Sequence, residues 1–163
     1  MNYLLVVDII KTVLYGILFA MMAHYVVFGV VGVFAKKKFP ASEKKLRYGI
    51  LIPTRNEQNV IANLVDSIRK SDYPQENLHV FVVAHNCSDK TAEVARDAGA
   101  TVYEYNNPNE CTKGYALKYL VDRIAKDYSD EHFDGFFILD ADNILDGQFI
   151  SKMNDAYVAN GER

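Results

Sequence analysis

The sequence predicts an α/β domain built on a mostly parallel sheet flanked by helices and preceded by one transmembrane helix. Three observations predict it. An apolar stretch near the N-terminus lacks formal charge, short apolar runs alternate with helix-periodic segments after residue 47, and polar residues collect where the apolar runs end. The last such run, Phe136-Phe137-Ile138-Leu139, has no polar residue and stops abruptly at Asp140-Ala141-Asp142-Asn143.

The chain has 163 residues, the length of one soluble domain plus an appendage. Its 18 Lys and Arg nearly balance 21 Asp and Glu, which argues against nucleic acid as the main partner. Cys87 and Cys111 have neither CxxC spacing nor a nearby His suited to zinc, so both read as reduced thiols that pack in a cytosolic domain.

From Thr12 to Ala35 the only potentially charged side chain is His24. About 24 residues make a helix of ~36 Å, enough to cross a hydrocarbon core of ~30 Å with some tilt. A secretory signal would place a shorter apolar core behind a basic leader. Here Lys36, Lys37 and Lys38 follow the span, and the positive-inside rule keeps what comes after them in the cytoplasm. Residues 1–38 therefore read as a membrane anchor with a basic cytoplasmic flank. Residues 39–47, with Pro40, read as a polar linker, and 48–163 as the soluble domain.

Within that domain Tyr48–Ile52 is a first strand ended by Pro53. Val60, Ile61, Leu64, Val65 and Ile68 recur at helical spacing over residues 57–70. Leu78–Ala84 is a second strand; Ser88 or Asp89 caps a helix running to Ala98, and Gly99 stops it. Thr101–Tyr105 is a β-branched and aromatic third strand. A third helix over 112–126 turns Ala116, Leu117, Leu120, Val121 and Ile124 inward, Phe136–Leu139 is the fourth strand, and a last helix covers 149–159. Alternation of this kind implies right-handed crossovers and a parallel sheet.

Asp140 and Asp142 are spaced i, i+2, which on an extended backbone turns both carboxylates to one side. Converging carboxylates repel unless a cation joins them. Mg²⁺ or Mn²⁺ suits the task, taking one or two carboxylates and filling its shell with water and phosphate oxygens. Asp-x-Asp alone is a weak signal, and an Asp-rich turn with an Asx cap is the commoner source of it. Sheet order adds independent support. With the order 3-2-1-4, the reversal falls between the first and fourth strands, where ligands of such sheets bind. The loop Pro53–Glu57 then lies beside the two aspartates, and the pattern points to a metal-dependent site for a nucleotide diphosphate.

These residues resemble a known family. Ile52-Pro53-Thr54-Arg55-Asn56-Glu57 is similar to the "IPxxNE" opening of family 2 glycosyltransferases, which have the GT-A fold. Val83–Thr91 resembles the family's second-strand loop, Lys113-Gly114-Tyr115-Ala116-Leu117 its "KGxAL" segment, and Asp140-Ala141-Asp142 its DxD. The span before the domain looks like the membrane synthases of cellulose, hyaluronan or poly-N-acetylglucosamine type. The resemblance implies transfer of a sugar from a nucleotide sugar, a UDP-sugar, to a glycan or lipid-linked acceptor. It also implies roles. Pro53, Thr54, Arg55 and Glu57 line the nucleoside pocket, His85 and Asn86 meet the base, and Lys113 faces the nucleotide. Asp140 lies near the nucleoside and diphosphate, and Asp142 is the direct metal ligand. One departure is His85, where the family often has an Asp that reads the uracil imide; a His offers different donors and acceptors. On residue type alone Glu57 also reads as a first-turn helix carboxylate, and Lys113 as a solvated lysine at a helix start.

An inverting transferase needs a general base for the acceptor hydroxyl. In the family that carboxylate lies after the DxD, and synthases carry a further QxxRW motif; this chain has no Trp. No residue up to Arg163 is assigned as base, and the resemblance places that carboxylate beyond Arg163. The expectation is an N-terminal portion holding the anchor and the donor-binding half, with an open sheet edge that leaves it dependent on a partner for the acceptor half. Two other functions fit the same residues: a non-catalytic membrane-anchored nucleotide-sugar-binding or assembly module, and a nucleotidyltransferase on a related sheet. A phosphatase would carry its Asp-x-Asp nucleophile after the first strand.

Overall fold

The computed structural model describes residues 3–35 and 38–161. The chain divides into two compact units, residues 1–38 and 39–163. In the first, helix α1 (Tyr3–Phe34) runs for 32 residues and has no buried residue. It starts well before Thr12 because Asp8 and Lys11 pair along the helix at 3.8 Å and Thr12 Oγ1 donates to the Asp8 carbonyl at 2.8 Å. With a mean hydropathy of 2.2, α1 is long and apolar enough to cross a membrane. His24 lies against the Phe28 ring one turn on, centroids 4.4 Å apart. Lys36 and Lys37 of the basic flank lie outside the described residues, as does Arg163, the residue beyond which the general base is expected.

The second unit is a parallel sheet of β1 (Tyr48–Thr54), β2 (Leu78–His85), β3 (Thr101–Tyr105) and β4 (Gly135–Ile138). Its order is β3-β2-β1-β4, the order on which the placing of the Pro53–Glu57 loop beside the aspartates was conditional. Helices α2 (Ile61–Arg69), α3 (Thr91–Asp97), α4 (Lys113–Asp127) and α5 (Phe149–Ala159) cover it. α2 starts later than Glu57, whose carbonyl instead accepts the Val60 and Ile61 N–H groups in a turn leading into the helix. α3 ends where Gly99 takes φ +91°, a left-handed turn that frees its N–H for the Arg96 carbonyl.

Strand periodicity sorts the core into two faces. Ile50, Ile52 and Val82 meet Leu64, Val65 and Ile68 of α2, Ala95 of α3 and Ile150 of α5 on one side. Leu51, Phe81 and Val83 meet Ala116, Leu120 and Ile124 of α4 on the other. At Gly49 a Cβ would stand 2.5 Å from the Phe136 ring, so the absence of a side chain is what lets β4 pack beside β1. β4 is an edge strand, with Phe136 and Ile138 exposed.

β1 pairs with β2 over its whole length, from Tyr48↔Leu78 to Thr54↔Ala84, but with β4 only as far as Leu51↔Ile138. The cause is one residue. Donors along a parallel strand alternate sides, and the Leu51 carbonyl accepts the Leu139 N–H at 3.0 Å, so Leu51 and residue 53 both face β4. The next rung would take its hydrogen from residue 53, and Pro53 has none. β4 therefore stops pairing just before Asp140, while β1 continues along β2 to Thr54.

The segment expected to be a free polar linker is bonded to the domain from Ser42 onward. Ser42 N–H donates to Asp155 Oδ1 at 2.8 Å, Arg47 N–H donates to Asp134 Oδ2 at 2.8 Å, and Leu46 is buried. The centre of this attachment is Asn154 of α5, which is fully buried. Its Nδ2 donates to the Lys44 carbonyl at 2.9 Å; its Oδ1 accepts from Leu46 N–H at 3.2 Å, Tyr48 Oη at 3.3 Å and Tyr73 Oη at 2.9 Å. Burial pushes the Tyr73 hydroxyl far above its ordinary value of 10.0, with the neighbouring Tyr48 adding to it. A raised folded-state pKa makes this contribution complete below about pH 10 and erodes it as pH rises further. Urea midpoints are expected to fall above about pH 10 in the intact chain, and less steeply in Tyr73→Phe. Equal slopes in the two proteins would exclude Tyr73 as the source.

Candidate functional site

The carboxyl ends of β1 and β2 lead into loops held together by their own side chains. Ser88 N–H donates to Asn56 Oδ1 at 2.8 Å, Glu57 N–H to Thr91 Oγ1 at 2.8 Å, and Lys90 N–H to Gln58 Oε1 at 3.0 Å. The N-cap of α3 is Lys90 rather than Ser88 or Asp89, and Asp89, one residue before it, accepts the Thr91 N–H at 3.0 Å in the turn that leads into the helix. The Thr91 hydroxyl, with backbone N–H groups beside it, holds the Asp89 carboxyl below the usual carboxylate range. Two loop residues, Asn56 (φ 57°) and Asn86 (φ 50°), adopt the left-handed region, which Asn tolerates better than other side chains.

Asn86 joins the ends of β2 and β3. Its N–H donates to the Tyr105 carbonyl at 2.9 Å, its Oδ1 accepts the Asn107 N–H at 2.7 Å, and its Nδ2 donates to the Asn107 carbonyl at 2.9 Å. That Nδ2 also meets His85 Nε2 at 3.1 Å. The His85 ring, only 3% exposed, stacks on Tyr105 with centroids 5.3 Å apart, and Tyr105 stacks on Tyr119 at 4.4 Å.

A cleft of about 120 Å³ opens over these strand ends, lined by Pro53, Thr54, Arg55, His85, Cys111, Lys113 and Ala116. Five residues singled out from the sequence thus come together: Pro53, Thr54, Arg55, His85 and Lys113. Asp140 joins them through an ion pair between its Oδ1 and Lys113 Nζ. This pair ties the end of β4 to the first residue of α4, across the reversal in strand order. A lysine at a helix N-terminus opposes the helix dipole, and the aspartate offsets that penalty.

Three predicted residues stand outside the cleft wall. Glu57 is in the turn before α2, Asn86 acts from behind His85, and Asp142 is exposed on the loop after β4. The extended-backbone argument for Asp140 and Asp142 also needs correction. β4 ends at Ile138, and the Asp140 carbonyl accepts the Asn143 N–H at 3.1 Å, so both aspartates lie on a turn. Among the described residues no three His, Cys, Asp or Glu side chains cluster to hold a metal. Cys111, read from the sequence as a packing residue, is exposed in the cleft wall, and Cys87 is half-buried with its thiol 3.7 Å from the Thr54 carbonyl. Sequence reading missed Cys111, Asn107 and the Tyr105–Tyr119 stack, since each matters through a partner on another element.

Thr54 is buried and its Oγ1 has no hydrogen-bond partner among the described residues. Such an orphan costs the fold about 1–3 kcal/mol. Thr54→Val keeps the shape and removes the hydroxyl, so it is expected to raise the unfolding free energy by about 1 kcal/mol, read as a higher urea midpoint. A lower midpoint would mean that the hydroxyl is satisfied in solution.

Comparisons with known proteins agree with this architecture. Residues 46–160 match the family model "Glycosyltransferase like family 2". Protein RfbJ of Shigella flexneri is 30% identical over 111 residues, 68% of this chain and 76% of RfbJ. The fold is similar to that of the mannosyltransferase PcManGT from Pyrobaculum calidifontis, solved with GDP-Man and Mn²⁺ (TM-score 0.61, 19% identity, 84% of this chain and 40% of PcManGT). It is also similar to S. aureus TarS 1-349 (TM-score 0.56, 16% identity, 71% of this chain and 33% of that chain). The chain thus spans less than half of either solved enzyme. A family match over most of the soluble unit, a relative of this identity and a GT-A-type parallel sheet lead to one assignment: the chain belongs to glycosyltransferase-like family 2.

Proposed function

We propose that the chain carries the donor-binding part of a membrane-anchored glycosyltransferase. In this reading it uses a nucleotide sugar, a UDP-sugar, with Mn²⁺ or Mg²⁺, and passes the sugar to a glycan or lipid-linked acceptor. The observation that carries the reading is the Lys113–Asp140 pair at the edge of the cleft, which sets a cation-binding carboxylate and a phosphate-binding ammonium at one point. Pro53, Thr54, Arg55 and Glu57 serve the nucleoside side, His85 and Asn86 the base, and Lys113 the diphosphate. Asp142, with Asp140, holds the cation.

Two exposed carboxylates on a turn suit a hard ion that keeps most of its shell for water and phosphate; zinc would require three or four protein ligands. A bound cation supplies Lewis-acid stabilisation of the negative charge that builds on the β-phosphate as the sugar leaves. Lys113 adds fixed positive charge at the same place, and Asp140 keeps its ammonium aimed there before the donor arrives. Lys36 to Lys38 orient the domain to the cytoplasm. A general base for the acceptor hydroxyl is not assigned among the described residues.

The solved structures of PcManGT with GDP-Man and Mn²⁺ and of TarS with UDP support a nucleotide ligand for this fold. The test is thermal unfolding of the intact chain in detergent, with UDP or GDP and with Mn²⁺ or EDTA. A nucleotide-dependent rise in Tm that needs Mn²⁺ is the expected result. No rise with either nucleotide would overturn the proposal.

A further inference from the structure

We infer that His85 reads the nucleotide base by giving it a hydrogen, so that the base presents a carbonyl oxygen at that point. The inference rests on the nucleotide-sugar reading and specifies how the base is recognised within it.

The amide orientation of Asn86 is set by its neighbours. Its Oδ1 accepts the Asn107 N–H at 2.7 Å while its Nδ2 donates to the Asn107 carbonyl at 2.9 Å. Reversing the amide would set donor against donor and acceptor against acceptor. Nδ2 therefore also meets His85 Nε2, at 3.1 Å, as a donor, and Nε2 is the bare, accepting nitrogen. An imidazole that accepts at Nε2 carries its hydrogen on Nδ1. Nδ1 has no partner among the described residues, and His85 lines the cleft. The ring is held from turning by its burial and by the stack on Tyr105, whose plane lies 12° from its own.

His85 shares the cleft wall with Arg55 and Lys113, and an open donor in such a wall is satisfied by a ligand that brings an acceptor. A carboxylate at position 85 would take the imide hydrogen of uracil or guanine. His85 in this tautomer cannot, because its Nδ1–H would meet another N–H; it can pair only with an acceptor, and in both of these bases a ring carbon beside that N–H bears a carbonyl oxygen.

The test is isothermal titration of the intact chain in detergent with Mn²⁺. UDP and GDP are compared with 2-thio-UDP, 4-thio-UDP and 6-thio-GDP, in which sulfur, a weaker acceptor, replaces one carbonyl oxygen. One thio-analogue is expected to bind about tenfold more weakly than its parent, the scale of one lost hydrogen bond. In His85→Phe, which keeps a stacking ring and removes the donor, that parent and analogue are expected to bind alike. The ¹⁵N spectrum of the histidines reads the tautomer independently, with Nδ1 protonated and Nε2 bare. Equal affinities for every parent and analogue in the unaltered chain, or a proton on Nε2, would overturn the inference and leave the nucleotide-sugar reading standing. Failure of UDP and GDP alike to bind would overturn both. Should His85→Phe not fold, the thio comparison in the unaltered chain and the tautomer decide.

Discussion

Asp142→Ala is expected to abolish the rise in Tm that UDP with Mn²⁺ gives the intact chain. A ligand at 100 times its Kd adds about 2.7 kcal/mol to folding, and for a domain of this size that is a shift of about 10 °C. Asp142 is exposed on the turn after β4, so its loss is expected to leave the unliganded Tm within about 2 °C. The separation of these two readouts makes the experiment informative: a structural aspartate would move the second, a cation ligand only the first. Lys113→Ala is expected to weaken UDP binding about tenfold while leaving the Mn²⁺ requirement in place, because in the proposed reading its Nζ, paired with Asp140, serves the diphosphate rather than the cation. Full stabilisation by UDP and Mn²⁺ in Asp142→Ala would exclude Asp142 as the ligand of the cation.

Asn154→Ala is expected to cost about 4 kcal/mol of unfolding free energy, measured as a fall in the urea midpoint at unchanged m. The side chain satisfies the Lys44 carbonyl, the Leu46 N–H and the Tyr48 hydroxyl, all from chain segments more than 100 positions away. Removing it takes the acceptor from the buried Leu46 N–H and opens a cavity in the core, each at about 1–3 kcal/mol. Asn154→Asp is a sharper version, since it replaces the donating Nδ2 by an oxygen facing the Lys44 carbonyl. A loss under about 1 kcal/mol in Asn154→Ala would mean that water enters and takes over the bonds.

Strand order was legible because it depends on local signals that agree: short apolar runs, helical periods between them and the single hand of parallel crossovers. With β4 beside β1, topology put the loop of Thr54 and Arg55 near Asp140, while His85 and Lys113 were reached only through the family resemblance. What escaped depends on contacts between distant positions. Asn154 reads as one more polar residue on an amphipathic helix, and only the fold reveals that residues 42–47 end on it. Residues 140–142 continue an apolar strand, so an extended course was the natural expectation. The missing donor that ends the ladder sits on Pro53, in a different strand. Cys111 was misjudged for a related reason: thiols are usually buried, and only the loop from β3 to α4 turns this one toward the opening.

Because the shared ladder of the first and last strands closes at Leu51, the segment that follows Leu139 contributes nothing to the hydrogen bonding of the sheet. The exposed positions of that segment, Asp140 and Asp142 among them, are therefore open to replacement without loss of a rung, while Ala141 and Leu145 keep it seated on the core.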